Sequence, residues 1–100
     1  MIKHYVMFRL KNFAEGSTKS ENAEKIKSLL ADLPSKIPQI KFFEVHLNER
    51  DSDRSADVLL ISEFDSWTML DKYILHPEHQ KVAEFIKLVR EESKTVDFAE

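Results

Sequence analysis

The sequence predicts an α+β domain in which helices cover one face of a four-stranded antiparallel sheet. Residues 2–10 alternate along the chain with the period of two that is typical of a β-strand. Residues 58–64 form a short apolar run, which is typical of a strand in the middle of a sheet. Around these strands, apolar residues recur at helical spacing. The 100 residues are enough for one domain, which we expect to span residues 1–100.

Composition and charge argue against several classes of protein. The net charge is −3, and the lysines and arginines are interspersed with acids, so we expect no nucleic-acid partner. There is no cysteine, which removes disulfides and thiolate metal sites and favours a cytoplasmic location. No apolar stretch approaches the roughly 18 residues that a membrane span requires, so we expect no membrane association.

The first predicted strand, residues 2–10, carries large apolar side chains on both faces. One face holds the even positions, which are His4, Val6, Phe8 and Leu10. The other face holds Tyr5 and Met7 between two cationic residues. A single layer of helices can cover only one of these faces, so we expect another surface to cover the second.

A helix and a second strand are predicted next. The helix has three candidate N-caps, Ser17, Thr18 and Ser20. It is predicted to end at Leu33, because Pro34 and Pro38 follow and interrupt the helical pattern. Residues 40–48 then predict a strand whose more apolar face should meet the helices, through Phe43, Val45 and Leu47.

The second half of the chain predicts a charged loop at 49–57, a strand at 58–64 buried on both faces, and two helical segments. The first segment is capped by Asp65 or Ser66 and has four apolar members, Trp67, Leu70, Tyr73 and Ile74. The second begins at Pro77, with an apolar face of Val82, Phe85, Ile86 and Val89. Its predicted outer face consists of Lys81, Glu84, Lys87, Glu91 and Glu92. Residues 94–98 predict the last strand.

This order of elements is the ferredoxin-like β-α-β-β-α-β plan. The plan leaves one face of the sheet without helices, and that face would carry Tyr5, Met7, Leu59 and Ile61. An exposed apolar sheet of this kind invites association, and a second copy of the chain can cover it across a two-fold axis. We therefore predict a homodimer that packs through its sheet faces into an α/β barrel.

The segment 73–79, YILHPEH, contains the residues best suited to chemistry. His79 falls in the first turn of the helix opened by Pro77, where the helix N-terminus disfavours the imidazolium form. A neutral His79 could accept a proton from an acidic carbon, and Tyr73 could donate a hydrogen bond to the resulting enolate. The structural alternative is that His76 caps the helix, His79 satisfies a backbone carbonyl and Tyr73 simply packs.

His4 lies on the face of the first strand that should point under the helices, and in one interpretation it points toward His79. A pocket with two histidines would strengthen the catalytic interpretation. The alternative is a single core histidine with a hydrogen-bond partner. Both interpretations are compatible with the sequence.

The sequence gives no basis for a metal or a cofactor. His76 and His79, with Glu78 between them, do not match the His-Glu-x-x-His zinc helix, and two histidines are too few ligands. We assign no role to His46. Gly16 is the only glycine, so no glycine-rich phosphate loop is present. Trp67 and the phenylalanines could line a haem or flavin cavity, although such residues are more often core.

Four segments carry a resemblance to a known family: the opening IKHYVMFRLK, Glu63-Phe64 at the end of the middle strand, YILHPEHQKVAEF, and the final TVDF. With these segments the chain resembles the stress-responsive dimeric A/B barrel family. The resemblance implies a ferredoxin-like monomer that dimerises through its sheet, and a function that is mostly unassigned in the family.

One plant branch of that family is similar to polyketide cyclases with a pocket between sheet and helices. By motif position, the resemblance implies that His79 is the general base, Tyr73 its supporting tyrosine and His4 a pocket histidine. A further cyclase histidine falls on Val58, which departs from the pattern. Three classes of function therefore remain: a protein that binds a small apolar or aromatic molecule, a cofactor-free cyclase or lyase, and a small monooxygenase like others of the dimeric barrel superfamily.

Overall fold

The computed structural model describes all residues from Met1 to Glu100. It contains six strands and three α-helices, with a single 3-10 turn at Leu33–Ser35. The strands are β1 (Ile2–Leu10), β2 (Phe13–Ala14), β3 (Ser17–Thr18), β4 (Phe42–Leu47), β5 (Val58–Phe64) and β6 (Arg90–Ala99). The helices are α1 (Lys19–Ala31), α2 (Trp67–Leu75) and α3 (Pro77–Val89). None of them combines the length and the apolar character needed to cross a bilayer.

Four of the strands form one antiparallel sheet in the order β4-β5-β1-β6, with β1 and β5 in the centre. The three helices pack on one face of this sheet. The predicted ferredoxin-like α+β fold is therefore confirmed. Its register aligns Tyr5 of β1 with Ile61 of β5 on one side and with Val96 of β6 on the other.

The core lies between the helices and the even-numbered side chains of the two central strands. Val6, Phe8 and Leu10 of β1 are buried there, as their period-two spacing predicts. Ile26 of α1 and Tyr73 of α2 are completely inaccessible to solvent. Because apolar side chains from the sheet and all three helices meet in one cluster, the helices are fixed firmly over this face.

The opposite face of the sheet is uncovered in the single chain. Its centre is apolar, with Met7 44% exposed and Val96 58% exposed. Its margin is charged, and Lys3 of β1 forms an ion pair of 2.9 Å with Glu63 of β5. The prediction that residues 58–64 are buried on both faces is therefore wrong for one chain, because the outward-facing side chains of β5 are only half-buried.

The first half differs from the prediction at the end of α1, in the loop after β1, and in β4, which is shorter at both ends than the predicted residues 40–48. Helix α1 ends at Ala31 rather than Leu33, because Asp32 is its C-cap and Pro34 belongs to the 3-10 turn that follows. The predicted loop after β1 contains the β2–β3 hairpin, whose turn Glu15-Gly16 has positive φ angles of 50° and 75°. Of the three candidate N-caps, Thr18 is the one used, in a capping box with Glu21.

The second half also contains two departures. Strand β6 begins at Arg90, four residues before the predicted strand, so Glu91 and Glu92 lie in β6 and not on the outer face of α3. Both acids approach Arg9 on the neighbouring strand, at 3.4 and 3.7 Å. Trp67, predicted on the apolar face of its helix, is 50% exposed because it occupies the first position of α2.

Candidate functional site

The histidine-proline junction between α2 and α3 sets the position of the site. His76 has extended backbone angles, and its Nδ1 accepts a hydrogen bond of 3.1 Å from the backbone N–H of Glu78. Pro77 occupies the first turn of α3. The side chain of Gln80 donates to the Ile74 carbonyl at 2.9 Å, which satisfies one acceptor at the end of α2. His76 is therefore the N-cap of α3, and the junction is rigid.

The structure brings His4, Tyr73 and His79 together on one cavity of about 240 Å³. The cavity lies between the helix-facing side of β1 and α3. Its walls are largely aliphatic and aromatic, and they include Val6, Phe8, Leu30, Leu60, Val82 and Ile86. Pockets for drug-sized ligands are commonly about 300–1,000 Å³, so this one suits a compact molecule.

Tyr73 is the centre of an aromatic cluster at the base of the cavity. Its ring lies 4.5 Å from that of His79 and 4.9 Å from that of Phe64, between ring centroids. Its hydroxyl is buried and has no hydrogen-bond partner, which is uncommon for a buried tyrosine. Burial raises the pKa of the Tyr73 phenol, so the hydroxyl keeps its proton and remains a hydrogen-bond donor.

His79 is half-buried, and its Nδ1 is buried without a hydrogen-bond partner. Burial lowers the pKa of His79 below its usual 6.5, and the positive forms of His4 and His76 lower it further. The nearby Ile74 carbonyl raises this pKa and so opposes the shift in part. The imidazole is therefore neutral at pH 7 and can accept a proton.

His4 is held by an aspartate that the sequence analysis missed. Nδ1 of His4 lies 2.5 Å from Oδ1 of Asp97, its direct neighbour across the β1–β6 pairing. When Nδ1–H donates to this carboxylate, Nε2 of the neutral ring is left as the acceptor. The only sequence signal for Asp97 is its place in the last strand, which identifies no partner until the β1–β6 register is known.

The remaining candidates fall outside this cavity or contribute only to its wall. Phe8 lines the cavity, but Trp67 and the other phenylalanines do not. His46 pairs with Glu44 at 2.8 Å on the uncovered face of the sheet. No group of three or more histidine, aspartate or glutamate side chains is arranged to hold a metal ion. Four polar residues at the exposed end of the cavity were also missed as site residues: Lys87, Arg90, Ser93 and Thr95.

Replacing Tyr73 by phenylalanine should stabilise the protein slightly while weakening ligand binding. The hydroxyl is buried without a partner, and burying such a group costs about 1–3 kcal/mol. We expect the free energy of unfolding of Tyr73→Phe to rise by about 1 kcal/mol, measured by urea denaturation. Loss of more than about 1 kcal/mol would show that the hydroxyl makes a stabilising hydrogen bond in the folded protein.

The chain is a small ferredoxin-like protein with a cavity under its helices that His4, Tyr73 and His79 line. The chain belongs to the stress responsive A/B barrel domain family, which it matches over residues 2–100. No curated protein matches the sequence.

Solved structures of other proteins share this fold. A dimeric protein of unknown function with a ferredoxin-like fold from Bacteroides fragilis is 28% identical, with a TM-score of 0.83 over 99% of this chain and 95% of its own. A dimeric ferredoxin-like protein of unknown function from Thermobifida fusca is 22% identical, with a TM-score of 0.84 over 99% and 90%. Hydroxynitrile lyase from Passiflora edulis shares the fold at 15% identity, with a TM-score of 0.79 over 97% and 90%.

Proposed function

We propose that this protein is a homodimer that binds a compact carbonyl compound in the cavity and catalyses proton transfer on it without a cofactor. One observation carries the proposal. Three buried side-chain polar atoms in the structure lack a hydrogen-bond partner, and two of them, Tyr73 Oη and His79 Nδ1, belong to residues of this cavity. Buried polar groups are rarely left unpaired in a folded protein, so we infer that a ligand pairs with these two atoms after a small side-chain movement opens them to the cavity.

The chemistry follows from the state of each group. Neutral His79 accepts a proton from the carbon next to the ligand carbonyl, which converts the carbonyl compound into its enolate. The Tyr73 hydroxyl donates a hydrogen bond to the oxygen on which the negative charge develops. The proton then returns from His79 to carbon or to a leaving group. His4, oriented by Asp97 through Nδ1, offers a second nitrogen to the same cavity.

Binding without turnover is the second candidate. The largely apolar wall favours it, because apolar burial alone can hold an aromatic or aliphatic molecule. Hydroxynitrile lyase shares the fold, which supports catalysis by analogy of fold only. The unpaired atoms of Tyr73 and His79 favour a ligand with a polar group over an apolar one, since an apolar ligand would leave both unsatisfied. The neutral state of His79 is what favours catalysis over simple binding.

Exchange of carbon-bound protons tests the proposal without knowledge of the natural substrate. We expect the protein to accelerate loss of the methylene proton signals of phenylacetone in D₂O, followed by NMR. The protein-dependent rate should stay level between about pH 7 and 8 and fall as the pH drops through the lowered pKa of His79, below 6.5, because the protonated ring cannot act as base. Ligand-induced shifts of the His79 ring signals without accelerated exchange would support binding alone.

The proposed homodimer forms through the uncovered face of the sheet. Tyr5 and Ile61 lie side by side in its central row, and Val96 continues the row on β6. An apolar centre within a charged margin is the usual composition of a protein interface. The dimeric state of the two bacterial relatives supports this assembly. The cysteine-free sequence supports a cytoplasmic location for it.

A further inference from the structure

The exposed end of the cavity is positively charged. Lys87 of α3 and Arg90 at the start of β6 both line the cavity, and no aspartate or glutamate does. The local charge at this end of the cavity is positive, whereas the net charge of the whole chain is −3. The residues at the base of the cavity, by contrast, are neutral in the states that the proposed chemistry requires.

The two cations have no acidic partner within the chain. Neither Lys87 nor Arg90 forms an ion pair, although two acids follow Arg90 directly in sequence. Those acids are engaged elsewhere: Glu91 lies 3.4 Å from Arg9, and Glu92 lies 3.7 Å from Arg9 and 3.1 Å from Lys94. The positive charge at the cavity is therefore left for a ligand.

Two hydroxyl groups add neutral donors beside these cations. Ser93 and Thr95 share the helix-facing side of β6, opposite Phe8 and Val6 of β1, and both line the cavity. Neither side chain makes a hydrogen bond within the chain. Because α3 passes into β6 at Arg90 without an intervening loop, the cations and hydroxyls belong to one continuous segment of the chain. The exposed end of the cavity thus gathers four donor side chains and no anionic acceptor.

We propose that the ligand carries a carboxylate, which binds Arg90 and Lys87 with the help of the Ser93 and Thr95 hydroxyls. The planar guanidinium of Arg90 matches the geometry of a carboxylate, and a carboxylate is small enough for a cavity of about 240 Å³. The apolar body of the ligand lies along the aliphatic wall. Its reacting carbonyl reaches Tyr73 and His79, and this last point rests on the proposed function.

A matched pair of probes isolates the contribution of charge. Phenylacetate and phenylacetamide have almost the same shape, but only the first is an anion. We expect isothermal titration calorimetry to show that phenylacetate binds about three- to tenfold more tightly, since the ion pair is partly exposed to solvent. Added salt should reduce this preference by screening the charges. Arg90→Gln and Lys87→Gln should each reduce it, and Arg90→Lys should retain part of it.

Lys27 of α1 provides the control. Like Lys87, it is exposed and makes no ion pair. Unlike Lys87, it does not line this cavity. Lys27→Gln should therefore leave the preference for phenylacetate over phenylacetamide unchanged, although it removes one positive charge from the protein, as Lys87→Gln does. Equal effects of Lys27→Gln and Lys87→Gln would overturn the proposal, since they would reflect only the overall charge of the protein.

The outcomes separate this proposal from the proposed function. If phenylacetate binds no more tightly than phenylacetamide, while Tyr73→Phe still weakens binding of both, the carboxylate site is wrong and the pocket chemistry stands. If the preference depends on Arg90 but Tyr73→Phe and His79→Gln change neither affinity nor proton exchange, the carboxylate site stands and the catalytic proposal fails. Failure of both probes to bind at millimolar concentration would overturn the carboxylate site.

Discussion

Replacing His79 by glutamine is expected to lower the protein-dependent exchange of phenylacetone protons by at least about 100-fold. A positioned general base contributes about 10²–10⁴ to a proton-transfer rate, and glutamine has a similar size but cannot accept the proton. The assay is the NMR measurement of methylene signal loss in D₂O, with wild-type protein at the same concentration.

His76 is the matched control for His79, because the two histidines lie three residues apart at the same helix start. Since His76 caps α3 through Nδ1, His76→Ala should lower the free energy of unfolding by about 1 kcal/mol and leave the exchange rate nearly unchanged. His79→Gln should have the opposite pattern, with little change in stability. The catalytic proposal would be wrong if His79→Gln strongly destabilised the protein and left exchange intact, because His79 would then have only a structural role.

Replacing Ile61 by aspartate is expected to convert the proposed dimer to a folded monomer. Ile61 lies between Tyr5 and Glu44 on the uncovered face of the sheet, so a second copy would bury it near the centre of the interface. The two-fold axis introduces the new charge twice, and each buried, unpaired carboxylate costs several kcal/mol. Equilibrium sedimentation at micromolar concentration should give the dimer mass for the wild type and the monomer mass for Ile61→Asp.

Leu88→Asp separates this effect from a general effect of added charge. Leu88 is 51% exposed and lies on α3, away from the uncovered sheet face. The Leu88→Asp variant should therefore remain dimeric, and circular dichroism should show native secondary structure for both the Leu88→Asp and the Ile61→Asp variants. A wild-type protein that sediments as a monomer at micromolar concentration would refute the proposed assembly.

Most of the fold could be predicted because the strongest patterns come from local burial. The alternation in β1 arises because one face of the strand packs against the helices. It correctly separates His4, Val6 and Phe8 from Tyr5 and Met7. The break at His76-Pro77 also has a local cause, since proline lacks the N–H and has the fixed φ that suit a helix start. For the same reason, the junction at which α2 ends and α3 begins was predicted correctly.

The features that could not be predicted depend on contacts between distant parts of the chain. The beginning of β6 is charged, so residues 90–93 show no apolar alternation, and their strand conformation follows from pairing with β1. Asp97 becomes a partner of His4 only through that register, across 93 positions of sequence. Lys87 is exposed, as its position on the outer face of α3 predicts, yet the packing of α3 over the sheet brings it to the edge of the cavity.

Strand β6 belongs to two surfaces at once. Thr95 lines the cavity and Asp97 lies on the same helix-facing side of the strand, whereas Val96 and Phe98 alternate with them and face the proposed interface. As an edge strand it pairs only with β1, so both of its surfaces depend on the same backbone pairing. If the proposed dimer forms through one surface and a ligand fills the cavity beside the other, the two events are linked equilibria, and any factor by which one strengthens the other applies equally in reverse.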